Sequence, residues 1–138
     1  MKNFVLDASV ALAWFFGDEA TSATTALLEQ LNDTPAIVPS IWFLEISNAL
    51  VFAEQKKRLT YAAAVQFLDL ITNLPIQMDE ELVTSRFYDI FTLAHSEKLT
   101  TYDAAYLELA MRHGISLATK DMKLRAVAKR LGVKILVM

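Results

Sequence analysis

Four acidic side chains stand at positions in this sequence where a carboxylate could do chemistry. Asp7 directly follows the apolar run Phe4–Leu6, and Asp121 comes soon after a second apolar run. Glu45 stands in a mostly apolar stretch, and Asp103 follows two threonines and a tyrosine. Each has an ordinary explanation when taken alone, because Asp often caps helices and acids are favourable in a helix's first turn. What those explanations do not predict is that two acids follow strand ends while two others occupy helices beside the same sheet edge.

Glu45 has the least ordinary setting of the four. It lies within residues 41–52, a helical pattern that is otherwise apolar almost all round and is therefore predicted to be buried on most sides. A buried, unpaired carboxylate costs several kcal/mol unless a counter-charge or a metal ion meets it. Asn48, one turn further on, shares its face and can supply a second polar group. The alternative is a rim position with the carboxylate in solvent, and we favour the functional interpretation.

Short apolar runs alternate with helical patterns along the whole chain, and these elements must position the acids. Strands are predicted at residues 4–6, 36–38, 75–78, 115–118 and 133–137. Helices are predicted at about residues 8–16, 18–32, 40–57, 61–73, 79–94, 101–113 and 122–131. Strands separated by helices indicate a parallel sheet covered on both faces. We therefore expect a single α/β domain over residues 1–138, a three-layer α/β/α sandwich with a mostly parallel sheet of five short strands.

Helix boundaries are marked by capping residues and glycines. Thr60 is predicted to cap the fourth helix, and Thr100 or Thr101 the sixth. Gly114 and Gly132 stand where helices commonly stop. The acids at residues 79–81 are expected in the first turn of the fifth helix, where negative charge meets the positive end of the dipole.

Composition bounds the class of protein. The 138 residues contain 54% hydrophobic residues and no cysteine, which excludes disulfides and thiolate metal sites and suits a reducing cytoplasm. No stretch approaches the roughly 18 apolar residues needed to span a membrane, so no membrane association is expected. The large apolar fraction predicts an oligomer or a protein partner, because exposed apolar surface is usually covered.

Charge is distributed unevenly along the chain. The net charge is −3, yet six of the 13 Lys and Arg residues follow Thr119, against one acid there. A basic face on an acidic protein can meet a polyanion, although a solvated helix surface is the simpler explanation for any single Lys. The residues that could contact a polyanion are Lys120, Lys123, Arg125 and Lys129.

The ordered motifs resemble those of a known family. The motifs are FVLDASV at residues 4–10, Glu45 with Asn48 in an apolar helix, TYDA at residues 101–104 and TKD at residues 119–121. In this order they resemble the acidic motifs of the PIN-domain nucleases, and the size is similar to that of the VapC-type toxins of toxin-antitoxin pairs. Each motif alone is nonspecific, but together they cover essentially the whole chain.

That resemblance implies a metal-dependent ribonuclease whose catalytic and metal-binding acids are Asp7, Glu45, Asp103 and Asp121. Ser9 and Thr119 would support the metal ligands, and Asn48 is carried over as a further supporting residue. The implied cofactor is Mg²⁺ or Mn²⁺, and the implied partners are an RNA substrate, a cognate antitoxin protein and a second copy of the chain in a homodimer.

The chemistry of such a site follows from its charges. Converging carboxylates repel one another, so they must bind cations or hold protons. Mg²⁺ and Mn²⁺ prefer oxygen ligands and need only one or two protein carboxylates each. We assign Asp7 and Asp103 as principal ligands and Glu45 and Asp121 as water-orienting or second-metal ligands. The expected reaction is hydrolysis of RNA phosphodiester bonds.

Other functions fit less well. Zinc favours Cys or His, and the only imidazoles, His95 and His113, lie outside the motifs, which also weakens a metal-free histidine ribonuclease. A receiver-like phosphoacceptor would want paired acids after the first strand, whereas Asp7 stands alone. The main alternative is a noncatalytic RNA- or protein-binding module on the same fold, with its function carried by the basic residues.

Overall fold

Four short strands form one parallel sheet in the computed structural model, which describes residues 3–81 and 83–136. The strands are β1 (Phe4–Leu6), β2 (Ala36–Val38), β3 (Ile76–Met78) and β4 (Ser116–Ala118). Their order across the sheet is β3-β2-β1-β4, and every pairing is parallel. The α/β class and the parallel sheet predicted from sequence are confirmed, but the sheet has four strands in the described residues instead of five.

Two helices lie between each pair of successive strands, and one follows the last strand. They are α1 (Ala8–Phe15), α2 (Ser22–Gln30), α3 (Ile41–Gln55), α4 (Tyr61–Thr72), α5 (Val83–Glu97), α6 (Thr101–His113) and α7 (Met122–Arg130). Thr60 and Thr100 cap α4 and α6 through their side chains, and Gly114 ends α6 at φ 64°, as predicted. Within the described part of the chain, no helix is long and apolar enough to span a membrane.

Strand β1 lies at the centre of the molecule. All three of its residues are buried, so both faces of the strand are covered, as in other parallel sheets. The chain builds outward from β1 to β2 and β3, then returns to pair β4 with the other side of β1. This reversal creates a crevice outside the carboxyl ends of β1 and β4, where ligands bind in open α/β sheets.

The predicted fifth strand is wrong as a full strand. Ile135 makes a single parallel bridge with Leu117, flanked by hydrogen bonds from Leu117 N to Lys134 O (2.9 Å) and from Leu136 N to Leu117 O (3.0 Å). Val137, which the prediction included, lies outside the described residues. The described segment therefore extends the edge beside β4 by one bridge only, because too few residues pair to make a ladder.

Two predicted helix starts are also wrong. The second helix begins at Ser22 instead of Asp18, because Thr21 and Thr24 form a reciprocal capping box that fixes the start. The acids at residues 79–81 precede α5 and do not occupy its first turn. Asp79 instead pairs with Arg112 on α6, at 2.7 Å.

Helix α3 is less buried than its apolar sequence predicted. Trp42, Ile46 and Leu50 face the core, but Leu44 and Phe52 are mainly exposed. An apolar pattern cannot by itself distinguish core contacts from a surface that a partner covers.

Candidate active site

Asp7 is the buried acid at the crevice between β1 and β4. Its residue is only 6% exposed. It occupies the N-cap position of α1, yet its side chain makes no capping hydrogen bond. The capping explanation for Asp7 is therefore wrong, and its carboxylate is held by other groups.

Two hydroxyls hold the Asp7 carboxylate. Ser9 Oγ donates to Asp7 Oδ2 at 2.8 Å, and Thr119 Oγ1 donates to the same oxygen at 2.5 Å. Backbone donors fix these hydroxyls in turn, since Lys120 N donates to Ser9 Oγ (3.0 Å) and Asp121 N to Thr119 Oγ1 (3.1 Å). The two segments that follow β1 and β4 are thus joined through one carboxylate oxygen.

Burial raises the pKa of Asp7, and the negative charge of Asp121 raises it further. The hydrogen bonds from Thr119 and Ser9 oppose this rise, because they favour the ionised form. Hydrogen bonds therefore fix the Asp7 carboxylate in place. None of the groups that shift its pKa carries a positive charge.

Glu45 approaches from α3, half-buried. The hydroxyl of Tyr106, on α6, donates a hydrogen bond to Glu45 Oε1. Burial raises the pKa of Glu45, the Tyr106 hydrogen bond opposes this, and the charges of Asp7 and Asp103 raise it again. Glu45 is thus an inward-facing acid of the same site and not a rim residue remote from it.

Asp103 stands in the first turn of α6, where Thr100 Oγ1 accepts a hydrogen bond from its backbone N–H at 3.1 Å. Burial raises the pKa of its carboxyl, and the charges of Asp121 and Asp7 add to the rise, while Lys123 lowers it. Asp103 therefore faces the other acids, which a helix-dipole role alone does not require.

Asp121 is the exposed member of the set. Its Oδ1 accepts a hydrogen bond from Leu124 N at 2.8 Å, so it caps α7 as the ordinary explanation holds. Its charge nevertheless raises the pKa of both Asp7 and Asp103. One oxygen of Asp121 thus caps α7, while its negative charge adds to that of the acidic crevice.

The four acids are close enough to repel one another, but they do not form a preassembled cage. Among the residues that the structure describes, no group of three or more Asp, Glu, His or Cys side chains could hold a metal ion as positioned. The donor set is all oxygen, and a hard divalent cation needs only one or two carboxylates when water and phosphate fill the remaining positions. The residues therefore fit Mg²⁺ or Mn²⁺ bound largely through water.

Asn48 lies beside this group at the surface. It is exposed on α3 and, with Glu45, lines a cleft of about 570 Å³ that also includes Leu44, Val51 and Tyr102. The predicted proximity of Asn48 and Glu45 is therefore observed. The cleft opens the acidic site toward the exposed side of α3.

The four basic residues proposed for RNA contact differ in how available they are. Lys120 Nζ donates to Glu19 O at 2.9 Å, and Lys123 Nζ donates to Lys98 O. Arg125 Nη1 contacts the sulfur of Met122 at 3.7 Å. Lys129 is exposed in the last turn of α7, about 9 Å along the helix axis from Lys123 at 1.5 Å per residue. The ammonium groups of Lys120 and Lys123 already donate to backbone carbonyls. The four residues therefore form a less accessible basic face than the sequence predicted.

Sequence reasoning missed Tyr106, which contacts an acid of the site, and Arg112, which lies further along the same helix. Nothing in a tyrosine three residues after Asp103 shows that the hydroxyl of Tyr106 reaches a different helix. Arg112 is the second: it pairs with Asp79 (2.7 Å) and Glu108 (2.9 Å), all three being mostly buried. The i,i+4 spacing of Glu108 and Arg112 was the available signal for half of that cluster.

Comparison with known proteins gives a family and a fold. A family model described as PIN domain matches residues 4–130. The chain is similar to the crystal structure of PAE2754 from Pyrobaculum aerophilum, with a TM-score of 0.75 and 22% identity over 97% of this chain and 89% of the other. No curated protein matches the sequence.

Two further solved structures share the fold. VapBC2 from Rickettsia felis, bound to a DNA fragment from its promoter, has a TM-score of 0.67 and 14% identity over 98% of this chain and 97% of the other. FitAcB from Neisseria gonorrhoeae has a TM-score of 0.64 and 16% identity over 97% and 96%. At these identities the likeness establishes the fold, and the chemistry must be argued from the residues of this chain.

Proposed function

The chain belongs to the PIN domain family, and on that basis we propose that it is a Mg²⁺- or Mn²⁺-dependent endoribonuclease, the toxin of a toxin-antitoxin pair. PIN domains are generally nucleases. The observation that supports the proposal most is the set of three acids, Asp7, Glu45 and Asp103, whose pKa values are raised by burial and by neighbouring acids at the crevice. Raised pKa values in a cleft are common at catalytic sites.

Each residue has a role in this proposal. Asp7 and Asp103 would be the principal ligands of a divalent cation, and Glu45 and Asp121 would orient water or hold a second cation. Ser9 and Thr119 fix the Asp7 carboxylate through the hydrogen bonds described above. When bound, the metal supplies an activated water and neutralises charge on the phosphate. Ionised carboxylates also accept a proton from attacking water, and burial brings their pKa values nearer to neutrality, where such a base is more effective.

RNA would approach the crevice beside α7. Lys123 lies close enough to Asp103 to lower its pKa, so a backbone phosphate held there would be near the acids. Lys129 and Arg125 would extend the contact along α7, each contact releasing counterions and making binding sensitive to salt. Lys120 stabilises the loop at Glu19 and would contribute charge without a direct bond.

The protein partners are a cognate antitoxin and a second copy of the chain. The structural neighbours VapBC2 and FitAcB support an antitoxin partner. The exposed apolar side chains of α5, Val83, Phe87 and Phe91, line a groove of about 390 Å³ with the start of α3 and with α6. We assign this apolar groove to a homodimer interface, because monomers rarely expose contiguous apolar surface.

The test of the proposed function is cleavage of RNA by the purified protein with and without Mg²⁺. Asp103→Asn keeps the shape of the side chain and removes its charge, so cleavage should fall at least about 100-fold, the upper range for changes around a metal site. The thermal midpoint should not fall, because the change relieves repulsion with Asp7 and Asp121. Asp33→Asn, at an exposed turn residue, is the matched control and should keep wild-type activity.

Two outcomes would contradict the proposal. Cleavage that is indifferent to chelation of divalent cations would exclude the metal-dependent mechanism. RNA binding without any cleavage, in wild type and Asp103→Asn alike, would favour the noncatalytic binding module.

A further inference from the structure

Tyr106 joins two helices that carry different acids of the site. It is fully buried on α6, and its hydroxyl donates to Glu45 Oε1 on α3, 61 residues away in the chain. Tyr106 also follows Asp103 by three residues, so the two side chains share one face of α6. One helix therefore presents an acid directly to the crevice and fixes a second acid through a hydroxyl.

Packing alone does not require the hydroxyl. A phenylalanine ring would fill the same core space, whereas a buried hydroxyl needs a hydrogen-bond partner. The partner here is a half-buried carboxylate that Asp7 and Asp103 repel. In the absence of a donor, that repulsion favours rotation of Glu45 toward the exposed cleft it borders. A hydrogen bond to an ionised acceptor is stronger than a neutral one and can resist this rotation.

We propose that Tyr106 is a positioning residue, which holds Glu45 toward Asp7 and Asp103 so that the acids can share a divalent cation. The inference rests on the proposed metal-dependent function. Tyr106 itself touches neither substrate nor cation in this account and acts only through Glu45. The structural neighbours establish only the fold, so the assignment depends on the contacts of this chain.

Metal affinity provides the first test. Binding of Mn²⁺ to purified protein is measured by titration calorimetry for wild type, Tyr106→Phe and the control Tyr61→Phe, which alters an exposed tyrosine on α4. Tyr106→Phe should weaken Mn²⁺ binding about 10- to 100-fold, as loss of outer-shell partners does. Tyr61→Phe should bind as wild type does. Wild-type affinity in Tyr106→Phe would overturn the inference.

A double-variant comparison tests whether Tyr106 acts through Glu45. Because Glu45→Gln removes the charge that Tyr106 is proposed to direct, adding Tyr106→Phe to it should cause no further loss of Mn²⁺ affinity. In RNA cleavage, Tyr106→Phe should lower kcat and leave KM nearly unchanged. Additive losses of affinity would show that Tyr106 acts by another route and would refute the positioning role.

A stability measurement covers the case in which Tyr106→Phe fails to fold. Glu45→Gln keeps an acceptor oxygen for the Tyr106 hydroxyl, whereas Glu45→Ala leaves that buried hydroxyl without this acceptor. Glu45→Ala should therefore melt several degrees below Glu45→Gln, despite the higher helix propensity of alanine. Equal midpoints would overturn the inference by showing that the bond does not hold the two helices together.

Failure of the inference can be distinguished from failure of the proposed function. A wild-type protein that binds Mn²⁺ but cleaves no RNA contradicts the nuclease proposal, while the affinity comparison still decides the role of Tyr106. A wild-type protein that cleaves RNA, with Tyr106→Phe equal to it in both assays, contradicts only the role of Tyr106.

Discussion

At the scale of single residues, the site combines firmly held carboxylates with unrelieved negative charge. Ser9 and Thr119 both donate to Asp7 Oδ2, which fixes the group without changing its charge. The mutual repulsion of Asp7, Asp103 and Glu45 persists in the absence of a cation. Such repulsion exists only when the chain is folded, so it should appear in the pH dependence of stability.

The metal-free protein should lose stability as pH rises. The pKa values of Asp7, Asp103 and Glu45 are raised above the ordinary 3.8 for Asp and 4.5 for Glu. The folded state therefore retains protons that the unfolded state has released, and the free energy of unfolding falls from about pH 4.5 upward until these groups are ionised. Asp79 has a lowered pKa and acts in the opposite sense, but only near and below 3.8. Thermal midpoints in chelator across pH 4.5–8 measure the trend.

Magnesium should reverse this loss. Binding requires ionised carboxylates, so Mg²⁺ should raise the midpoint little at pH 5 and strongly at pH 8. The corresponding increase in the free energy of unfolding is about 2.7 kcal/mol when Mg²⁺ exceeds its Kd 100-fold. Asp103→Asn should show a shallower pH dependence and a smaller response to Mg²⁺. A metal-free midpoint that climbs steadily over this range would contradict the convergence of the acids.

The proximity of the four acids could be predicted from the sequence, but the contacts that hold them in place could not. Strand ends and helix starts give positions for Asp7 and Asp121 that follow from local pattern. The bond between Tyr106 and Glu45 depends on how α3 and α6 pack, and no local spacing encodes it. The contact of Lys120 could not be predicted for the same reason, since its ammonium group reaches the Glu19 carbonyl 101 residues away.

At the scale of elements, Arg112 fastens the end of β3 to α6. It bonds Asp79, which directly follows β3, and Glu108 on its own helix, and the side chains of all three are at most 15% exposed. The two carboxylates raise the pKa of Arg112 above its ordinary range, and Arg112 lowers that of Asp79. The cluster also forms the polar end of the apolar groove beside α5.

Removing Arg112 should destabilise the fold strongly. Arg112→Met would leave two mostly buried carboxylates without their counter-charge, which costs about 3 kcal/mol in buried pairs. The matched control is Arg86→Met, whose partners Glu81 and Asp89 are more exposed and which should change the midpoint little. Denaturant unfolding of both variants measures the difference. Combining Arg112→Met with Asp79→Asn and Glu108→Gln should recover part of the lost stability. Equal stability of Arg112→Met and Arg86→Met would refute the stabilising role of the Arg112 cluster.

Element prediction succeeded where local chemistry determines the boundary and failed where pairing or partners do. The caps at Thr60 and Thr100 and the stop at Gly114 are fixed by hydrogen bonds or a positive φ that neighbouring residues determine. The prediction of a fifth strand is wrong because a β-ladder depends on how far the partner strand continues. The prediction that α3 is buried on most sides is wrong, because an apolar pattern is the same for a core and for a surface that a partner covers.

At the scale of the whole molecule, the apolar groove and the acidic crevice adjoin. The start of α3 and Tyr102 line both the groove beside α5 and the cleft that contains Glu45 and Asn48. A second copy seated on the groove would therefore lie next to the acids and narrow the path by which RNA reaches them. The proposed dimer would therefore link dimerisation to RNA access through position alone.

Disrupting the groove should separate the copies without unfolding them. Phe87 and Phe91 are 70% and 61% exposed on α5. The double variant Phe87→Asp with Phe91→Asp therefore leaves the core packing largely intact while it places two charges in the groove. We expect the wild type to be a dimer at micromolar concentration and the variant to be monomeric, because burying these charges in an interface is costly. Light scattering coupled to size exclusion measures the mass, and circular dichroism confirms the fold.

Leu70→Asp, 68% exposed on α4 outside the groove, is the control and should remain dimeric. A wild type that is monomeric in the absence of any partner would contradict the proposed homodimer. A Phe87 and Phe91 variant that still dimerises would place the interface outside the apolar groove. If the monomeric variant still cleaves RNA at the wild-type rate, one copy supplies the complete acidic site and the dimer serves only access or recognition.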